Sequence, residues 1–251
     1  MLEIHQFECL DDNYGYLLHD SDSGETVCID TPDADVYLYE AKARGWTITQ
    51  IWNTHWHSDH AGGNEAIQKH TGCTILGPQE VTKIAPLDTE LTHGDTAKLG
   101  HYTADVIDVS GHTNGHIAFH IPEAGVAFVG DAVFALGCGR MFEGEPKQFW
   151  DSLSRIKALP ASTTLYCAHE YTAANAKFAA HADPDNAALA DYVAEIKDKR
   201  KRGQRTVPMG LRRELATNPF LRADDPALAA KWGGDAPHET FAALRAAKDN
   251  F

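Results

Sequence analysis

His55, His57, Asp59 and His60 fall within six residues, directly behind the apolar run at 48–54. Neutral imidazole nitrogens and carboxylate oxygens are the donors that borderline divalent cations take, so this density of His and Asp points to a metal site. A chain leaving a strand can turn several side chains onto one point. His55 and His57 are expected to face the same way from an extended turn, with Asp59 and His60 open to a second centre. More donors stand downstream: His112 in Gly111-His112-Thr113, Asp131 after Gly130, and His169 in Ala168-His169-Glu170. Each follows an apolar run that reads as a strand, and loops past strand ends carry function on a rigid scaffold. A single histidine is usually a surface or packing residue. The repeated placement past strand ends is what favours ligands here over a solvated His-rich turn. His116 is the rival to His112, but it opens the next apolar run, so His112 is preferred.

Two divalent ions about 3.5–4 Å apart can share a solvent molecule and bring its pKa towards neutrality, giving a hydroxide ready to attack a carbonyl. Asp59 could accept a hydrogen bond from that hydroxide and orient it. No other nucleophile is expected, because the chain has no G-x-S-x-G serine motif and no cysteine with an obvious histidine partner in sequence. A thioester suits such a site, since its thiolate leaves without a strong general acid.

The elements that must place these residues alternate over the first two-thirds of the chain. Runs 2–7, 14–19, 26–30, 48–54, 74–76, 102–109, 116–121, 126–129 and 164–167 read as strands. Residues 33–44 read as a helix capped by Asp33, and 64–70 as a short helix ended near Gly72. Pro146 opens a helix to about 158, with Phe149, Trp150, Leu153 and Ile156 on one face. Behind Tyr171 no strand is expected. Leu189, Tyr192, Val193 and Ile196 keep helical spacing, and four prolines punctuate the rest. A boundary is placed near 172, with a catalytic domain at 1–172 and an all-helical domain at 173–251. Sheets covered by helices follow from the first part.

The 251 residues allow a large core, and nothing suggests a long disordered tract. Residues 1–172 carry nine Lys/Arg against 25 Asp/Glu, and 173–251 carry thirteen against eleven. The acidic body disfavours general nucleic-acid binding, while the tail has cations to spare for a small anion. The five cysteines are odd in number and widely spaced, so they read as reduced thiols. No basic head with an apolar run opens the chain, and no stretch has the ~18 apolar residues of a membrane helix, so a cytoplasmic protein that does not engage the membrane is expected.

The ordered set H-x-H-x-D-H, then a His, an Asp and a last His resembles the metallo-β-lactamase superfamily over residues 1–172. The resemblance implies an α/β (α+β) fold, an αββα sandwich with its site at one edge of two sheets. It implies His55, His57 and His112 on one ion, Asp59, His60 and His169 on the other, and Asp131 bridging them. It narrows to glyoxalase II, the hydroxyacylglutathione hydrolases, through Gly139-Arg140-Met141-Phe142-Glu143-Gly144, His169-Glu170-Tyr171-Thr172, Thr217-Asn218-Pro219-Phe220-Leu221-Arg222 and Arg245-Ala246-Ala247-Lys248-Asp249. That family likeness implies hydrolysis of S-D-lactoylglutathione to D-lactate and glutathione, the second step of methylglyoxal detoxification. It also implies Arg140, Tyr171, Arg245 and Lys248 as glutathione contacts. Arg245 and Lys248 are three apart and would share a helical face that could receive a carboxylate. Phe142 stands where relatives can have Tyr, and Arg140 where Lys also occurs.

The cofactors expected are two divalent ions, zinc first, with iron and manganese suited to the same thiolate-free donors. A monomer is the default. Among rivals, a glutathione-linked persulfide dioxygenase needs one redox-active iron, and the intact second set Asp59, His60 and His169 argues against it. A phosphodiesterase of the same fold would use the run 197–205 as a basic patch, but the run is short. A β-lactam hydrolase gives the tail cations no purpose, and a merely structural metal domain would not need the full ligand set.

Overall fold

Leu2–Cys9 and Asn13–Asp20 form an antiparallel pair, in register from Leu2↔Asp20 to Cys9↔Asn13, the second strand buried along almost its whole length. The computed structural model describes residues 1–251 and divides into two compact units, Met1–Asp108 with Gly115–Gly130, and Val109–Asn114 with Asp131–Phe251. In the first unit the opening pair continues into Thr26–Ile29, then runs parallel through Gln50–Trp52, Thr74–Gly77 and Thr89–Glu90. Parallel neighbours need crossovers. Ala34–Arg44 supplies one, capped by Asp33, which accepts from Asp35 N and Val36 N, and closed by Gly45 at φ 70°.

The same unit holds an antiparallel meander, Thr96–Leu99, Tyr102–Asp108, Ile117–Ile121 and Val126–Gly130. The last two strands are buried throughout and, apart from His120, free of polar side chains. Tyr16 meets Phe128 at 5.5 Å and Trp52 meets Phe119 at 5.2 Å between ring centroids, so the two sheets pack on aromatic contacts. Phe7, Leu17, Tyr37, Ile51, Ile67 and Ile75 form the core under the crossover helices.

In the second unit Thr164–Cys167 pairs with a two-residue strand, Met209–Gly210. The rest is helical: Pro146–Lys157, Thr172–Ala182, Ala187–Lys201, Leu211–Thr217, Pro226–Trp232 and Pro237–Asp249. The face predicted for Pro146–Lys157 is the buried one. A small hairpin, Val133–Phe134 with Gly137–Cys138, turns through Leu136 at φ 56°. Leu136 is fully buried against Ala176, Ala179, Leu189, Tyr192 and Ile196. That burial stabilises the unit by roughly 2 kcal/mol.

Several features differ from the sequence reading. Ser58–Ala61 is a helical turn, so Asp59 and His60 sit on a helix behind the extended His57. The strand expected over 48–54 is shortened to Gln50–Trp52, because Asn53 and Thr54 spend their polar groups on Asp30, His60 and Asn64. The strand Thr96–Leu99 and the hairpin at 133–138 were not expected, since short strands carry little periodic signal. Met209–Gly210 makes the C-terminal part mostly rather than entirely helical. All five cysteines are free and buried, as expected. No helix is long and apolar enough to cross a membrane.

Candidate metal ligands and substrate cavity

In the first unit the ligand cluster hangs from the end of Gln50–Trp52. His55 Nε2 lies 3.0 Å from His57 Nδ1, and the His55 and His60 rings are 4.0 Å apart. Two imidazole nitrogens at that distance repel unless a proton or a cation lies between them, so the pair fits a shared ion. The outward nitrogens are fixed by partners. His60 Nδ1 donates to Asp30 Oδ2 at 2.9 Å. Thr54 Oγ1 donates to the same Asp30 oxygen at 2.8 Å and stands 3.1 Å from His55 Nδ1. With its hydrogen spent on Asp30, Thr54 Oγ1 accepts from His55 Nδ1. Both rings are thereby held in the tautomer that leaves Nε2 without a proton, as a carboxylate placed behind a ligating histidine would do. Asn13 Nδ2 donates to the Asp59 carboxylate at 3.3 Å and to its carbonyl at 3.1 Å.

His116, the rival to His112, stacks on His55 at 4.7 Å and is fully buried. It packs behind the cluster. Gly130, at φ 48°, is required beside it: a Cβ there would lie 2.6 Å from Thr54 Oγ1 and 2.8 Å from His116 Nε2.

The second unit contributes His112, Asp131 and His169. His112 Nδ1 donates to the Arg140 carbonyl at 2.8 Å, which directs Nε2 towards Asp131 Oδ2 at 3.4 Å. Asp131 Oδ1 lies 3.3 Å from His169 Nε2. The two oxygens of one carboxylate thus face two different histidines. Tyr171 stacks on His169 with centroids 4.7 Å apart, and Phe134 meets Tyr171 edge-on at 5.2 Å.

A cavity of about 390 Å³ opens from these residues, lined among others by His112, Asp131, Arg140, Tyr171, Arg245 and Lys248. Its size is that of a small-molecule site. Arg245 is buried and donates to the Cys138 carbonyl and to Asp249, both at 3.0 Å. Arg140 Nε is 3.7 Å from the same Asp249. Lys248 lies over the rings of Phe178 and Phe251. Burial, with the like charges of Arg245 and Arg140 close by, holds its ammonium below the usual lysine range. Three cations against the carboxylates of Asp249 and Asp131 leave the cavity wall positive. Phe142 lies 62% exposed with its ring 5.2 Å from that of His112, and no hydroxyl is present there.

Sequence reasoning missed Asp30, Asn13, Thr54 and Phe134. Asp30 follows directly on the strand Thr26–Ile29, so the strand-end rule that found Asp131 would also have found it. The other three carry no such signal.

Layered sheets with helices on them, and His and Asp donors beyond the strand ends, define a metal-dependent hydrolase of the metallo-β-lactamase superfamily; residues 16–169 match the family model described as "Metallo-beta-lactamase superfamily". Residues 170–251 match "Hydroxyacylglutathione hydrolase C-terminus". The chain belongs to the hydroxyacylglutathione hydrolases. A hydroxyacylglutathione hydrolase of Erythrobacter litoralis (strain HTCC2594) is 75% identical over 251 residues, covering the whole of both chains. One from Hyphomonas neptunium (strain ATCC 15444) is 59% identical over 254 residues, covering 100% of this chain and 99% of the relative. The crystal structure of ETHE1 from Myxococcus xanthus shares the fold, with TM-score 0.67, 24% identity and 98% of each chain covered.

Proposed function

We propose that this chain hydrolyses the thioester of S-D-lactoylglutathione, and related S-acyl glutathiones, to the hydroxy acid and glutathione. The observation that carries the reading is that one cavity is walled by two candidate metal ligands, His112 and Asp131, and by the cations Arg140, Arg245 and Lys248. A glutathione thioester has a hydrolysable carbonyl and two carboxylates, and needs both kinds of wall. In this reading His55, His57 and His112 hold one divalent ion, Asp59, His60 and His169 hold a second, and Asp131 serves both. These side chains offer the nitrogen and carboxylate donors that such ions take.

Bound ions there supply the Lewis acidity that makes water a nucleophile at neutral pH and polarises a carbonyl. The chain's own residues do the rest. Asp59, held by Asn13, accepts a hydrogen bond from the attacking water and aims it. Tyr171, Arg140, Arg245 and Lys248 bind the glutathione portion. The glutathione thiolate leaves without a proton donor.

The donors contain no thiolate, which suits zinc, our first reading, and equally iron or manganese. The five buried free thiols suit a reducing compartment, and we place the protein in the cytoplasm as a monomer. Against a phosphodiesterase, the basic run at 197–205 is partly neutralised: Lys199, Arg200 and Arg202 pair with Glu195, Glu170 and Asp198.

The deciding measurement is turnover of S-D-lactoylglutathione by purified protein, with metal content determined on the same sample. Fast turnover with about two ions per chain supports the reading. Two ions without turnover keeps the ligand assignment and overturns the substrate. Treatment with a strong chelator should abolish turnover, and added zinc should restore it; activity that survives complete metal removal overturns the metal roles. Lys248→Ala should raise KM about tenfold and leave kcat within about twofold, because a carboxylate contact far from the carbonyl binds ground state and transition state alike. An unchanged KM removes Lys248 from the glutathione site.

A further inference from the structure

Glu214 is a fully buried carboxylate on the helix Leu211–Thr217, with no part in the chemistry above. Its Oε2 accepts from the Leu136 backbone N–H at 2.8 Å and from Asn218 Nδ2 at 3.1 Å, and its Oε1 accepts from the Tyr192 hydroxyl at 3.1 Å. Asn218 Nδ2 also reaches the carbonyls of Phe134, at 3.2 Å, and Gly137, at 2.9 Å. Asn175 Nδ2 donates to the carbonyl of Ala135 at 3.2 Å. The backbone of the hairpin turn is therefore gripped at each of four successive residues by side chains from C-terminal helices. Such a grip is needed, because Leu136 is a non-glycine residue in the left-handed region, a conformation that persists only where its surroundings over-determine it.

The hairpin is a wall of the substrate cavity. Phe134 and Cys138 both line it. The Cys138 carbonyl receives Arg245 Nη1 at 3.0 Å, and the Phe134 ring packs against Tyr171. A shift of the turn would move Arg245 and Tyr171 together.

We infer that Glu214 is a positioning residue for glutathione recognition, setting the hairpin at 133–138 and through it the cations and ring that bind the glutathione portion. This rests on the thioesterase reading above. Burial pushes the Glu214 carboxyl up to about 7, while the donors from Leu136, Asn218 and Tyr192, and the Arg213 cation, pull the other way. The group works on either side of its titration because the Tyr192 hydroxyl can donate or accept. Glutamine satisfies the same network. Its carbonyl takes Leu136 and Asn218, and its amide donates to Tyr192. Alanine satisfies none of it.

The test uses the full metal-loaded protein as wild type, Glu214→Gln, Glu214→Ala and Tyr192→Phe, with KM and kcat for S-D-lactoylglutathione, inhibition by glutathione, metal content and melting temperature. Glu214→Gln should stay within about twofold of wild type, while Glu214→Ala should raise KM and the glutathione inhibition constant about tenfold, with kcat and metal content nearly unchanged. Tyr192→Phe should fall between them. A lower melting temperature in Glu214→Ala and Tyr192→Phe with KM and inhibition unmoved would mean a structural role only and overturns the inference. If Glu214→Ala does not fold, Tyr192→Phe decides by the same criterion, since it removes one donor and leaves the core filled. If wild type does not turn over the thioester, that reading falls separately, and calorimetric binding of glutathione to wild type and Tyr192→Phe decides this one. Equal affinities, or no binding to either, overturn it.

Discussion

Asp131→Ala is expected to cut turnover by at least about a thousandfold, equivalent to ~4 kcal/mol of transition-state stabilisation, and to take bound metal well below two ions per chain. The size of the effect follows from the geometry. One oxygen of Asp131 faces His169 and the other faces His112, at 3.3 and 3.4 Å. Removing the side chain would take a carboxylate donor from both proposed ion sets at once. Asp131→Asn keeps the shape but puts an amide N–H against a histidine nitrogen that must accept a cation, so it should lose most of the activity as well. Metal analysis and single-turnover kinetics on the same preparations check this. Normal rate with normal metal content in Asp131→Ala would remove Asp131 from the centre.

The second large effect is expected at a residue that touches no substrate. Asp30→Asn should weaken metal binding by about 10–100-fold, with activity lost in proportion and recovered at high metal concentration. Asp30 Oδ1 accepts from the Thr54 backbone N–H at 2.7 Å, and asparagine can keep that bond. Oδ2 accepts from both His60 Nδ1 and Thr54 Oγ1, and an amide nitrogen there would meet two donors. His60 would then place its proton on Nε2, where the ion should be, and Thr54 would turn its own hydrogen towards His55. The fold should survive, since asparagine tolerates the φ of 54° at this position. Titration of metal-free protein with zinc, followed by calorimetry, separates the outcomes. Wild-type affinity in a folded Asp30→Asn would show that the carboxylate does not set the tautomers.

Several features were legible without the structure. The helix face Phe149, Trp150, Leu153 and Ile156 was readable because a long amphipathic helix declares itself by period, and the cap at Asp33 because its chemistry is local. The ligand candidates were readable because His and Asp are rarely gathered past strand ends without a use for them. The hairpin at 133–138 was not readable. Its turn has no glycine at the left-handed position, and the Leu136 N–H is held there by Glu214, a residue 78 positions away.

Arg245 and Lys248 mark the limit more sharply. Their spacing correctly gave a shared helix face, with both side chains on the cavity, but it carried no information about Asp249 and the Cys138 carbonyl, which occupy the Arg245 guanidinium. By itself, then, the sequence determined which donor types the protein owns, the strand ends that carry them, and the family to which they point, because those are properties of composition and local period. Only the tertiary structure decided that Asp131 turns one oxygen to each of two histidines, that Asp30 fixes two tautomers from behind, and that buried polar groups on the C-terminal helices hold the cavity wall. Those relations join residues far apart in the chain, and hydrogen-bond geometry between distant side chains leaves no periodic trace in a linear sequence.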